Sequence, residues 1–108
     1  MRVKNIYEKV FFRTDRTDLS YEEAMEIYKR ENAILIDVRT SEEYREKHID
    51  EAINIPLYEI DNLKNEIIDK DKAILLYCKT GKRSKAAKEM LMQNGYRNVY
   101  TFNAKIWK

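Results

Sequence analysis

Cys78 is the only cysteine of the chain, and the segment "CKTGKRS" that it opens sets Lys79, Lys82 and Arg83 within the next five positions. A thiol is nucleophilic as its thiolate, and a cysteine of ordinary pKa, near 8.5, is only about 3% ionised at pH 7. Nearby cations, inward-pointing backbone N–H groups and a helix start all raise that fraction. Gly81 lets the intervening loop curl without steric cost, so that several N–H groups converge beside a helix beginning near Ser84. A concave array of amides of this kind holds anions, whether a thiolate or an anionic substrate. The charges point the same way. Lys82, Arg83 and Lys85 crowd the positive end of a helix, where cations are disfavoured. An anion is the simplest compensation for that broken local rule. Inert buried cysteines and solvated lysine runs are common in other proteins, so no single feature decides; the coincidence of strand end, cysteine, glycine, cations and helix start does.

The elements that position this loop follow from hydrophobic periodicity. "AILIDV" (33–38), "AINI" (52–55), "AILLYC" (73–78) and "VYTF" (99–102) are short apolar runs that read as strands. Helix-period segments separate them. Ser20 with Glu23 forms a capping box ahead of Tyr21, Ala24, Met25 and Tyr28, and Lys29 and Arg30 suit the other end of that helix. Thr40 with Glu43 caps a short turn over Ser41 to Tyr44. Pro56 opens a helix carrying Leu57, Ile60, Leu63 and Ile67. A last helix runs from about Ser84 to Asn94, with Gly95 as its stop and Ala87, Met90 and Leu91 facing the core. Strands apolar on both faces and separated by helices imply a parallel sheet covered on both sides. Ligands of such sheets bind beyond the carboxyl ends of the strands. "DVRTSEEY" and "CKTGKRS" therefore emerge on one rim.

Composition bounds the rest. A chain of 108 residues fits one domain, expected over 1–108, with residues 1–17 holding a short edge strand around "KVFF" and 103–108 a shortened end. Lys plus Arg number 21 and Asp plus Glu 19, so the net charge of +2 gives no general affinity for nucleic acid, and "KTGKRSK" lacks an aromatic platform. No signal peptide or membrane span is expected, and a single cysteine needs no oxidising compartment; a cytoplasmic protein without metal or cofactor is the expectation.

Two segments carry a family resemblance. "CKTGKRS" (78–84) resembles the active-site loop of the rhodanese family, and "ILIDVRTSEEYREKHIDEAINIPL" (34–57) is similar to that family's second signature, in the right order and spacing. The likeness covers about residues 18–102. It implies a three-layer α/β fold with a mainly parallel central sheet of about five strands, and a sulfurtransferase. Cys78 would take sulfane sulfur from a small anionic donor such as thiosulfate, hold it as a persulfide and pass it to cyanide, a thiol or a protein acceptor. Carried over by residue, Lys79, Thr80, Gly81, Lys82 and Arg83 form the substrate cradle. Lys79 and Arg83 contribute charge, while Lys82 is equally suited to face solvent. Asp37 and Arg39 would be a structural polar pair beneath the loop, and His48 a structural residue in a turn. The chain departs from the family pattern at Lys47, where glycine is frequent, at Asp50 and Glu51, where Pro-Gly is frequent, and at Asn103 and Ala104, which replace a glycine pair lining the pocket.

Two other readings compete. Phosphatases and arsenate reductases of related architecture place five residues between Cys and Arg; here there are four, Lys79 to Lys82, which argues against a tetrahedral oxyanion. A binding or redox-sensing module would keep the fold with little catalysis, a reading to which the missing glycines lend some weight.

Overall fold

The computed structural model describes residues 18–107, and within them four parallel strands lie in the order β2-β1-β3-β4. The expected edge strand around "KVFF" lies outside the described residues. Helix α1 (Tyr21–Glu31) is followed by β1 (Ile34–Asp37), α2 (Ser41–Glu46), β2 (Ile53–Asn54), a 3₁₀ helix (Leu57–Asn65), β3 (Ile74–Tyr77), α3 (Lys82–Gln93) and β4 (Val99–Thr101). The parallel sheet flanked by helices is as expected. It has four strands among the described residues rather than about five, and beyond β4 a single bridge from Leu19 to Phe102 continues the pairing.

Side-chain alternation along the strands divides the core into two layers. Leu35, Leu75 and Tyr77 face the layer that holds Ala24 and Ile27 of α1. Ile36, Ile74, Leu76 and Cys78 face the opposite layer, against Ile60 and Leu63 of the 3₁₀ helix and Ala87 and Leu91 of α3. Burying one Leu or Ile contributes about 1.5–3 kcal/mol, so both layers are needed to hold so short a chain. The period of two has a chemical consequence: it turns Cys78 toward the face on which α3 starts.

Both predicted capping boxes form, at Ser20/Glu23 and Thr40/Glu43. Two helices differ from expectation. The segment after Pro56 is a 3₁₀ helix, because Leu57, Ile60 and Leu63 recur every third residue, the repeat that eclipses side chains in 3₁₀ geometry. The last helix begins at Lys82 rather than Ser84. Gly81, at φ 94°, makes the turn by itself and leaves Lys82 and Arg83 inside the first turn. At the other end Gly95, at φ 97°, closes α3, with the Tyr96 N–H donating to the Leu91 carbonyl at 3.1 Å.

Candidate active site

Register places the two rim segments side by side. Asp37 pairs with Tyr77, so β1 and β3 end together and the chain leaves both strands on one edge of the sheet. Cys78 is the first residue past β3 and is 3% exposed. Its Sγ accepts the Gly81 N–H at 3.0 Å, a contact made by the left-handed turn at Gly81, which folds the amide back over the sulfur. The thiol lies 3.7 Å from Ser84 Oγ, and that hydroxyl donates to the Gly81 carbonyl at 3.2 Å. A hydroxyl rotates freely, so Ser84 can turn its proton onto the sulfur when the thiolate forms. Over the sulfur lies a cavity of about 120 Å³ walled by Asp18, Lys79, Thr80, Phe102 and Asn103. Asn103 thus lines the pocket where the family pattern puts a glycine, while Ala104 is buried.

The cations around the loop part company. Lys79 is exposed and lines the cavity on Cys78. Lys82 is exposed too and, with Thr80, Gly81, Lys85 and Asp18, borders an adjoining hollow of about 230 Å³. Arg83 turns to α2, where its guanidinium donates twice to Glu43, at 2.8 and 3.2 Å. Those hydrogen bonds raise the Arg83 pKa, with Cys78 adding a smaller electrostatic attraction. Glu43 is pulled down to about 2, first by Arg83 and then by the Thr40 N–H that it accepts. The resemblance gave Arg83 a direct part in the cradle; its hydrogen bonds among the described residues go instead to Glu43.

Asp37 and Arg39 are joined as a buried pair. Arg39 Nε lies 3.0 and 3.1 Å from the two Asp37 carboxylate oxygens, and a terminal nitrogen lies 2.7 Å from one of them. The same guanidinium donates to the Lys47 carbonyl at 2.6 Å and sits 4.7 Å from the Trp107 ring. Both Asp37 oxygens, Arg39 Nε and one terminal nitrogen of Arg39 are thereby engaged, and such mutual engagement is what offsets the burial of two charges. His48 packs away from the cavity on Cys78: its ring stacks on Tyr44 at 3.7 Å and its Nδ1 lies 2.6 Å from the Tyr44 carbonyl. Among the described residues no group of three His, Cys, Asp or Glu converges to hold a metal ion.

Four residues of the site were not singled out from the sequence in these roles. In the sequence Glu43 signals only a helix cap and Ser84 only a helix start. Asp18, whose carboxylate accepts the Thr101 hydroxyl at 2.5 Å on the wall of the cavity, carries no local signal at all. Trp107 covers Arg39 from a segment that periodicity left unassigned.

Comparison with known proteins adds an independent line. The rhodanese-like domain family is matched over residues 20–104. The chain is 42% identical over 65 residues to thiosulfate sulfurtransferase PspE of Escherichia coli, covering 59% of this chain and 62% of that protein, less than two thirds of its length. It is 31% identical over 83 residues to thiosulfate sulfurtransferase GlpE of Coxiella burnetii, covering 77% of each. Among solved structures, a rhodanese with anions from E. coli superposes with a TM-score of 0.60 at 38% identity, over 64% of this chain and 82% of that one.

Proposed function

We propose sulfur transfer through Cys78 as the function of this chain, which belongs to the rhodanese-like domain family. The observation that carries the reading is the Gly81 N–H held 3.0 Å from Cys78 Sγ at the floor of the rim cavity. An amide aimed at sulfur favours the thiolate and, after transfer, the sulfur that remains bound to the protein.

The reaction has two displacements. The Cys78 thiolate attacks the outer sulfur of a sulfane donor such as thiosulfate; the donor S–S bond breaks and sulfite leaves with the electron pair. The persulfide anion on Cys78 then meets cyanide or a thiolate, which attacks its outer sulfur, and the Cys78 thiolate is regenerated as thiocyanate or a new persulfide departs. Lys79 and the loop amides supply positive potential where the donor's negative charge must enter. Arg83, fixed by Glu43, adds to that field from the side. Asp37 and Arg39 act by holding the rim.

Relatives named thiosulfate sulfurtransferase support thiosulfate as the laboratory donor. The test is thiocyanate formation from thiosulfate and cyanide by the purified protein. Turnover in the wild type and none in Cys78→Ser is the expected result; phosphate-ester hydrolysis at a comparable rate would instead favour an oxyanion enzyme.

A further inference from the structure

Charge at the cavity on Cys78 is nearer balance than the loop sequence implies. Arg83 is held by Glu43, and Lys82 and Lys85 border the adjoining hollow of about 230 Å³. Of the loop lysines, Lys79 alone lines the cavity of about 120 Å³ itself. Asp18 lines both spaces. One ammonium and one carboxylate thus stand where a sulfur donor must enter.

The fold holds that carboxylate from two sides. The Leu19 N–H donates to the Thr101 carbonyl at 2.9 Å and the Asn103 N–H to the Leu19 carbonyl at 3.1 Å, which lays the chain at Asp18 beside the end of β4. The hydroxyl of Thr101, a residue 3% exposed, then donates to Asp18 Oδ1 at 2.5 Å. Oδ2 is left to the loop: a Cβ added at Gly81 would lie 3.8 Å from it. The Gly81 N–H is the group that Cys78 Sγ accepts, so a negative charge sits beside the turn that holds the sulfur. No ion pair among the described residues neutralises Asp18. A fixed charge a few ångströms from a reacting anion changes its binding several-fold even near the surface, and the energy doubles when the anion carries two charges.

We propose that Asp18 is a specificity-determining residue of the sulfur-loading step, one that lowers the site's preference for doubly charged donors relative to singly charged ones. The assignment rests on sulfur transfer through Cys78. Lys79 and the loop amides supply positive potential at the cavity, Asp18 subtracts from it, and the loss to a donor scales with the donor's charge. The bond changes are those of the first displacement. The Cys78 thiolate bonds to the outer donor sulfur, the donor S–S bond breaks, and the leaving group takes the electron pair, as sulfite from thiosulfate or as a sulfinate from a thiosulfonate.

The paired probes are thiosulfate, with two charges, and methanethiosulfonate, in which a methyl group replaces one charged oxygen. Both need the Cys78 thiolate, so the ratio of their kcat/KM values in thiocyanate formation cancels any change in the thiol or in the amount of folded protein. Asp18→Asn keeps an acceptor for the Thr101 hydroxyl and removes the charge. It should raise the thiosulfate-to-methanethiosulfonate ratio about threefold or more at low salt, and the gain should shrink at high salt because Asp18 is exposed. Asp18→Glu, which retains the charge, should keep the ratio within about twofold of the wild type. An unchanged ratio in Asp18→Asn, an equal loss of both activities, or a raised ratio that salt does not reduce overturns the role of Asp18, while wild-type turnover leaves sulfur transfer standing. No thiocyanate from either donor in the wild type overturns sulfur transfer, and the role of Asp18 with it.

Discussion

Glu43 and Arg83 stand 40 residues apart in the chain, and two hydrogen bonds of 2.8 and 3.2 Å fasten the helix after β1 to the first turn of α3. One carboxylate thereby caps α2 and fixes the loop that carries Cys78. Its pKa is lowered from 4.5 to about 2, by Arg83 first and the Thr40 N–H next. The unfolded chain binds the proton more readily, so this contribution is fully present above pH 4.5 and is lost as pH falls toward 2. Denaturant unfolding across that window should show wild-type stability falling more steeply than that of Glu43→Gln. At neutral pH the variant should lose no more than about 1 kcal/mol, because the pair is half-exposed. Parallel stability profiles for the two proteins would count against the pairing.

Asp37 and Arg39 should behave differently, because their side chains are 0% and 5% exposed. Arg39→Ala leaves a buried carboxylate without its partner and should cost about 3–5 kcal/mol in denaturant unfolding. Arg39→Lys should restore only part of it, since an ammonium cannot reproduce the forked contact to Asp37 while also reaching the Lys47 carbonyl. Full recovery with lysine would contradict the strut role.

Gly81 and Gly95 form a matched pair for separating fold from chemistry. Both have φ near the same positive value, 94° and 97°, and a Cβ on either would meet other atoms only at ordinary contact distance, 3.8 and 3.9 Å. Alanine at each should cost about 1–2 kcal/mol through backbone strain alone. Only Gly81→Ala should also slow thiocyanate formation, by about tenfold or more, because its N–H aims at Cys78 Sγ. An equal loss of activity in both would mean that the loop amide has no part in the reaction.

Local signals carried most of the fold. The runs ending at Asp37 and Tyr77, the caps at Ser20 and Thr40 and the stop at Gly95 each depend on neighbouring residues, and each formed where periodicity placed it, within a residue or two. The start of α3 was missed by two residues, because a glycine in the left-handed region can open a helix without a capping side chain. The site was legible where it is local: Cys78 and its loop are continuous in sequence. Its remaining parts are contacts across the sheet. Glu43 reaches Arg83 and Asp18 reaches the Cys78 cavity only because parallel pairing brings distant strand ends to one rim. Trp107 over Arg39 is likewise a product of packing, and nothing in "AKIWK" announces it.

The most direct measurement is the intact mass of the protein after incubation with thiosulfate and removal of excess donor, in the absence of reductant. The wild type should gain the mass of one sulfur atom, lose it on addition of cyanide, and show neither change in Cys78→Ser. A wild-type mass unchanged by thiosulfate would contradict sulfur transfer through Cys78.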